Sequence, residues 1–375
     1  MSSGKNVFVT GASGMLGAEI VADLLANGHR VIALINAQRE IKRNSGQTIP
    51  AIEWRTDGPL MGSVSWLRGD IRKTDFGLSP NTHRHLREQT DLVVHSAAVT
   101  DFGRPWEVYE SVNVGGTRNV LQFAAGYEKK VIPLIHVSTA YVCGKRSGRI
   151  LETELDVGQS FGNPYEESKF NAELLVRAAG KNGLPYIIAR PSVIVGSSRD
   201  GHVRDFKTIY TVLKLVTEGR VRYLPGNYDA TVDLVSVDFV SKSVAALAAE
   251  PMTSAGKTLH IASRAPVTMK DFSDVIAEYP NLRVARFVPP ASFDESSLSP
   301  IERRYHERVI SLFASYFTRR VFFSTELASE LIPIQPVRGM PLLRKMISFA
   351  ERVGYLGRLK SDHEAASGTA GAQAL

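Results

Sequence analysis

"KNVFVTGASGMLGAEIVADLL", Lys5 to Leu25, sets three glycines, Gly11, Gly14 and Gly17, directly after a short apolar run. Val7, Phe8 and Val9 read as a buried parallel strand, while Ile20, Val21, Leu24 and Leu25 recur at helical spacing, so the glycines fall in a strand-to-helix turn. A helix N-terminus there offers unpaired backbone N–H groups and a partial positive charge, and glycine lets the backbone approach a pyrophosphate with no Cβ in the way. A tight turn that binds nothing shares the local pattern. The strand before and the helix after favour a dinucleotide-binding turn.

Outward from this stretch, "NVFVT", "RVIAL", "SWLRGD", "DLVVHSAA", "VIPLIHVST" and "PYIIARPSVIVG" are apolar runs separated by helical or loop segments. That alternation predicts an α/β fold, a Rossmann-type doubly wound parallel sheet. After Gly196 the pattern loosens, and "DFKTIYTVLKLVTEG", "VTMKDFSDVIAEYP" and the segment from Ser299 predict a smaller, mostly helical C-terminal substrate lobe, with the ligand crevice between lobe and sheet. The expected division is a nucleotide-binding domain at 1–200 with 226–265 returning to it, a lobe at 201–225 and 266–360, and a disordered tail at 361–375. Within "SLSPIERRYHERVISLFASYF", Ser299 reads as an N-cap, Pro300 as the first helical residue and Glu302 as the partner in a capping box. Ile301, Tyr305, Val309, Leu312, Phe313, Tyr316 and Phe317 then form one stripe of that helix, read as lobe core in preference to a lipophilic cover or a membrane contact.

Composition bounds the function. The 375 residues are 43% hydrophobic, enough for a large core, and no apolar stretch reaches the roughly 20 residues that cross a bilayer. "MSSGK" leads straight into a strand, which leaves no room for a signal peptide, and a cytoplasmic location is expected. The single cysteine, Cys143, excludes an internal disulfide and any multi-cysteine metal site. A net charge of +7, from 45 Lys and Arg against 38 Asp and Glu, suits an anionic ligand or partner. Without a dense basic run interleaved with aromatics, nucleic acid is not the expected partner.

The residues that can do chemistry lie further on. "NPYEESKFNAELLV" carries Tyr165 and Lys169, four apart and therefore on one helix face with Ala172 and Val176. An ammonium beside a phenol favours the phenolate and is expected to lower the tyrosine pKa from about 10. "LIHVSTAYVCG" ends a strand with Ser138 and Thr139, at the carboxyl edge where open α/β sheets bind ligands. Thr139 is read as the hydroxyl that meets a substrate carbonyl oxygen, and Ser138 as one that satisfies backbone groups.

"TGASGMLG", "GDI" at Gly69–Ile71, "HSAAVTDF", "NVGGT" at Asn113–Thr117, "VSTAYVCG", "YEESK" and "ARPSVIVG" stand in the order and spacing of the extended short-chain dehydrogenase/reductases. With "GDIRKTDFGLS", the phenylalanine of "AAVTDF" and "VDLVSVDFV", the chain most resembles their thioester reductase group. That group comprises the terminal reductase domains of carboxylic acid reductases and nonribosomal peptide synthetases, and the fatty acyl-CoA reductases of male-sterility type. The resemblance covers roughly residues 5 to 265. It implies that Gly11, Gly14 and Gly17 hold the pyrophosphate, with Ser13 and Met15 also binding the cofactor, that Asp70 and Ile71 meet the adenine, and that Ala97 and Ala98 line the cofactor. By the same resemblance Asn113 supports the active-site helix, Pro191, Ser192 and Val193 meet the nicotinamide, and Thr139, Tyr165 and Lys169 form the catalytic set, Tyr165 as the acid. Lys169 would also hold the nicotinamide ribose. His95 is read as packing near the cofactor in preference to a proton-transfer role.

Cofactor choice turns on "RVIALINAQREIKR". An Asp or Glu at the end of this strand would bind the ribose 2′-hydroxyl of NAD and repel a 2′-phosphate, and neither is present. Asn36 stands where the thioester reductases usually have an arginine, and Arg39, Lys42 and Arg43 follow within reach of a phosphate. NADPH is therefore expected over NAD. The reaction implied is reduction of an acyl thioester, delivered in trans on coenzyme A or an acyl or peptidyl carrier protein, to the aldehyde or on to the alcohol. A ketone or aldehyde reductase, a hydroxysteroid-type dehydrogenase and a sugar-nucleotide epimerase or dehydratase share the same catalytic residues. A non-catalytic dinucleotide sensor is the reading from another class, opposed by the retained Thr139, Tyr165 and Lys169.

Overall fold

The computed structural model of the chain describes residues 4–38, 40–55, 63–126 and 130–357; Arg39 and the expected tail at 361–375 lie outside them. Eight parallel strands form the central sheet: β1 (Asn6–Thr10), β2 (Arg30–Ile35), β3 (Ala51–Glu53), β4 (Val64–Arg68), β5 (Leu92–His95), β6 (Leu134–Val137), β7 (Tyr186–Pro191) and β8 (Thr258–Ile261). Their order is β8-β7-β6-β5-β1-β2-β4-β3. Val7 pairs with Val31 on one side and Leu92 on the other, so the winding reverses across β1 and β5 and leaves a crevice at their carboxyl ends.

The longer α-helices are α1 (Met15–Ala26), α2 (Pro80–Gln89), α3 (Gly116–Ala125), α4 (Pro164–Lys181), α5 (Ile209–Thr217), α6 (Val237–Ala249), α7 (Met269–Ala277), α8 (Pro300–Arg308) and α9 (Met340–Arg352). Strands buried on both faces need apolar side chains of both parities. Val7 and Val9 accordingly pack with Ile20, Val21 and Leu24 of α1 and Val240 and Val244 of α6, while Phe8 points the other way, into Val120 and Phe123 of α3. Phe8, Phe76 and Phe123 meet there at ring-centroid distances of 5.0 to 5.6 Å. A further apolar cluster gathers α5, α7, α9 and the turns at 310–317 beside the carboxyl edge of the sheet. Among the described residues no helix is long and apolar enough to cross a membrane.

Three local expectations are corrected. "PYIIARPSVIVG" is not one strand: β7 stops at Pro191, and Val193–Val195 pairs instead with Leu234–Ser236. Ser299 does cap α8, accepting from the Glu302 N–H, but the Glu302 carboxylate makes no capping box because the Arg222 backbone N–H and guanidinium occupy it. The single helix over 299–317 also fails: α8 ends at Arg308, Val309 leaves helical geometry at φ −126°, and tight turns carry Ile310–Phe317. Hence no single stripe runs from Ile301, which is 67% exposed, to the buried Phe313, Tyr316 and Phe317.

Candidate active site

α4 is positioned from both ends. Asn163 caps it by accepting from the Glu166 N–H, and Pro164 opens it. Further along, Glu173 forms a buried ion pair with Arg190 of β7 at 2.7 Å, a tie whose one-sided removal costs about 3–5 kcal/mol. The four-residue spacing then brings Tyr165 and Lys169 to the sheet edge beside Ser138 and Thr139, and all four line one cavity of about 540 Å³, a size typical of small-molecule sites. Asn113, in the wide turn Glu110–Gly115, donates from Nδ2 to Ser168 Oγ at 2.9 Å and to the Val99 carbonyl, and its Oδ1 accepts from the Val99 N–H. It thereby stitches α4 to the loop after β5.

The expectation for the tyrosine is reversed, while both hydroxyls stand at the cavity edge. Thr139 Oγ1 accepts from the Tyr141 N–H at 3.2 Å and donates to the Pro191 carbonyl at 3.4 Å. Ser138, which also lines the cavity, is the one of the two whose hydroxyl is buried with no partner among the described residues. The Tyr165 phenol faces Thr139, yet burial holds its pKa above the ordinary value, with the adjoining Glu166 carboxylate pushing the same way. Lys169 does not offset this, because its Nζ donates to the Val137 carbonyl at 2.8 Å and burial lowers its own pKa to about 8.

The glycine-rich turn fits a dinucleotide. Gly11 has φ +77°, and a Cβ there would stand 2.6 Å from the Ala97 nitrogen; at Gly17 it would stand 2.0 Å from the Gly11 carbonyl oxygen. At Gly14, the N-cap of α1, a Cβ would meet just the Gly11 oxygen at 3.2 Å and otherwise fill open space, and no side chain caps the helix. Free N–H groups at an open helix N-terminus suit a pyrophosphate. Ser13, Met15, Ala98, Pro191, Ser192 and Val193 line the same cavity. Asp233, wholly buried, fixes the 191–193 segment by accepting from Ser192 Oγ at 2.5 Å and from Ser263 Oγ at 2.6 Å.

Other candidates fall outside the cavity. Asp70 is clasped by the Arg72 guanidinium at 2.6 Å, which holds its carboxyl below the usual range, and Ile71 lies over Gly116. Ala97 sits behind the turn, its N–H pointing at Thr10 Oγ1. Asn36 is exposed beyond β2, and Arg43 is no free phosphate ligand, because its guanidinium is spent on Glu19. His95 is clamped between Thr10 Oγ1 at 2.7 Å and Thr117 Oγ1 at 3.1 Å, and burial pushes its pKa down to about 3, so it stays neutral. Sequence reasoning missed Arg204, which reaches back from the segment before α5 to donate to the Ser13 and Lys42 carbonyls and lines the cavity beside the glycine turn. No spacing rule links residues 13 and 204. Among the described residues no His, Cys, Asp and Glu cluster could hold a metal ion.

Beyond Tyr165 the cavity becomes apolar. One face of α5 (Ile209, Val212, Leu213, Val216) and one of α7 (Met269, Phe272, Ser273, Ile276) line it with Phe287, Phe313 and Phe317, and none of these side chains is charged. Phe102 bridges the two halves, its ring 5.7 Å from Tyr165 and 4.9 Å from Phe313. The charged lining groups Arg204, Asp205, Lys207 and Lys169 all lie outside this apolar set.

A family model described as "Male sterility protein" matches residues 9–244. L-2-aminoadipate reductase of Schizosaccharomyces pombe is 29% identical over 325 residues, covering 79% of the chain and 22% of that protein. Probable fatty acyl-CoA reductase 4 of Arabidopsis thaliana is 27% identical over 268 residues, covering 56% of the chain and 54% of that protein. The chain thus spans about a fifth of the first relative and about half of the second. The terminal R domain from the myxalamid PKS-NRPS biosynthetic pathway superposes with a TM-score of 0.74 at 24% identity, covering 95% of the chain and 93% of that domain, which is a likeness of fold.

Proposed function

We propose, from the premise that the chain belongs to the male sterility protein family and is an oxidoreductase of the extended short-chain dehydrogenase/reductase class, that it reduces an apolar acyl thioester with NADPH. The observation that carries this reading is the single cavity that joins the glycine turn, the Thr139, Tyr165 and Lys169 set and an uncharged, apolar chamber. Relatives named as aminoadipate and fatty acyl-CoA reductases support the reaction class. The thioester would be carried by coenzyme A or a carrier protein.

Gly11, Ser13, Gly14, Met15 and Gly17 would hold the pyrophosphate, and Pro191, Ser192 and Val193 the nicotinamide, whose reduced form supplies the hydride when bound. Arg204, which lines the cavity and is paired with Asp205, and the sequence-derived Arg39 are the cations offered to a 2′-phosphate. Lys169 holds the ribose. Thr139 stands beside the Tyr165 phenol and Ser138 offers its unpartnered hydroxyl to the carbonyl oxygen, and Tyr165 donates its proton as charge develops there. In this direction the tyrosine must start protonated. The raised pKa keeps the acid loaded at neutral pH. The apolar chamber takes the acyl chain, and each buried methylene is worth about 0.8 kcal/mol.

Two outcomes are expected. Gly14→Ala places a methyl in the open cradle without touching the core, so the dissociation constant for NADPH, read by calorimetry, rises about tenfold or more, or about 1.4 kcal/mol, while the melting temperature holds; unchanged affinity would remove the glycine turn from the cofactor site. The Lys169 ammonium, present below about pH 8 and lost above it, holds the ribose of the bound cofactor in the proposed complex. The reductive kcat/KM is therefore expected to fall as pH rises through about 8, and a flat profile from pH 7 to 10 would contradict that role.

A further inference from the structure

Glu166 follows Tyr165 directly and is wholly buried, with Oε2 accepting from the Gly162 N–H at 2.9 Å and Oε1 accepting from Arg319 Nη2 at 3.2 Å. Arg319 comes from the end of the 310–317 turns and is 2% exposed. Its guanidinium lies 4.1 Å from the ring centroid of Tyr316 and 4.6 Å from that of Tyr141, and it also donates to the Gly144 carbonyl. Tyr141 and Tyr316 both line the substrate cavity. A charged residue of the C-terminal segment is thus locked, through two cavity-wall rings, onto the carboxylate next to the proposed acid.

The charges around this pair are few. Tyr165 is faced by Thr139, Tyr109 and Glu166, with Lys169 one turn along α4. Arg319 is faced by Tyr141, Cys143, Tyr316 and Glu166. Burial pushes the Cys143 thiol up to about 11 and both tyrosines above their ordinary range, so at neutral pH these groups are uncharged. Glu173, further along α4, is already matched by Arg190. What remains against Tyr165 is a carboxylate, and a carboxylate in a buried site opposes formation of a phenolate beside it.

We propose that Arg319 is a positioning residue of the reaction: by neutralising Glu166 it allows the Tyr165 O–H bond to break, the proton to pass to the substrate oxygen, and the charge to remain on the phenolate. The inference rests on Tyr165 being the acid, as proposed above. It also makes the acid sensitive to the cavity wall, since Tyr141 and Tyr316 fix the guanidinium that compensates Glu166. A purely structural ion pair would show no such electrostatic signature.

The test compares R319M, E166Q and E166Q/R319M with the parent protein, each checked for folding by circular dichroism. R319M is expected to lower kcat about tenfold or more with KM little changed and to raise the solvent deuterium isotope effect on kcat, whereas E166Q/R319M, which removes both charges, regains most of the loss. Loss in the double variant equal to that in R319M, or no loss in R319M, would overturn the proposal. Should R319M fail to fold, E166Q decides through the 13Cζ tyrosine signal that disappears in Y165F. This signal is expected to titrate about one pH unit or more below its parent value, and an unmoved titration overturns the proposal. The NMR readout needs no substrate, so an absence of thioester reduction would count against the proposed function while leaving the pair's effect on Tyr165 decided.

Discussion

Replacing Tyr165 with phenylalanine is expected to lower kcat/KM for thioester reduction by about 10²- to 10⁴-fold, the usual contribution of a positioned general acid, while the dissociation constant for NADPH stays within about threefold. The substitution removes one oxygen and keeps the ring tilted against Phe102, so the packing that holds α4 against the sheet survives. The lost hydroxyl faces Thr139 at the wall of the cavity, where a solvent proton would have to enter to replace it. Stopped-flow reduction with saturating cofactor separates the effects. A fall in the chemical step with unchanged cofactor affinity assigns the acid to Tyr165, whereas a variant that retains more than about a tenth of the rate would move the proton source elsewhere, Ser138 being an unpartnered hydroxyl of a residue that lines the same cavity.

Ser273→Phe is expected to act on substrate choice alone. Ser273 shares the cavity face of α7 with Met269, Phe272 and Ile276, and its hydroxyl merely donates to the Met269 carbonyl one turn back. A phenyl ring there occupies space otherwise available to an acyl chain and adds no polar group. The kcat/KM for a long-chain acyl-CoA should fall about 10- to 200-fold, the range one to a few lost methylene contacts provide, while that for a two- to four-carbon acyl-CoA changes little. Equal loss for both lengths would mean that the chamber does not hold the acyl chain. The same chamber argues against polar acyl groups, because its α5 and α7 faces offer no charged side chain to pair with an amino or carboxylate group.

How far the sequence could be read depends on whether an interaction is local. The glycine turn, the eight-strand sheet's main runs and the Tyr165 to Lys169 spacing are all encoded within a few residues, by apolar parity, by glycine and by the helical period, and the structure contains those elements where the patterns put them. Short pieces such as β3 and the hairpin pairing Ile41 with Ile49 have two or three residues each, too few for a period to emerge. Long-range ties are invisible for a different reason. Arg43 could be recognised as basic, but nothing in "REIKRN" announces that Glu19 takes its charge; Arg204 and Arg319 reach the site across roughly 190 and 150 residues of chain respectively.

Local pattern also misled where two signals competed. From Ser299 the cap and the 3.6 period argue for one long helix, yet Glu302 finds a stronger partner in Arg222 and the chain breaks at Val309, which lets Phe313, Tyr316 and Phe317 turn into the cavity wall. In the same way, a lysine four residues from a tyrosine suggests a lowered phenol pKa, but desolvation of both groups dominates once α4 is packed down. Burial is a property of the assembled fold, so a pKa argued from spacing alone takes the wrong sign.

The most direct test of the account is NADPH oxidation by the purified protein with a long-chain acyl-CoA, followed at 340 nm together with release of free thiol. Thioester-dependent oxidation with one thiol released per thioester consumed is expected, with loss of both signals in Y165F. Oxidation that occurs with free aldehydes or ketones and never with thioesters, or thiol release that proceeds without NADPH, would contradict it.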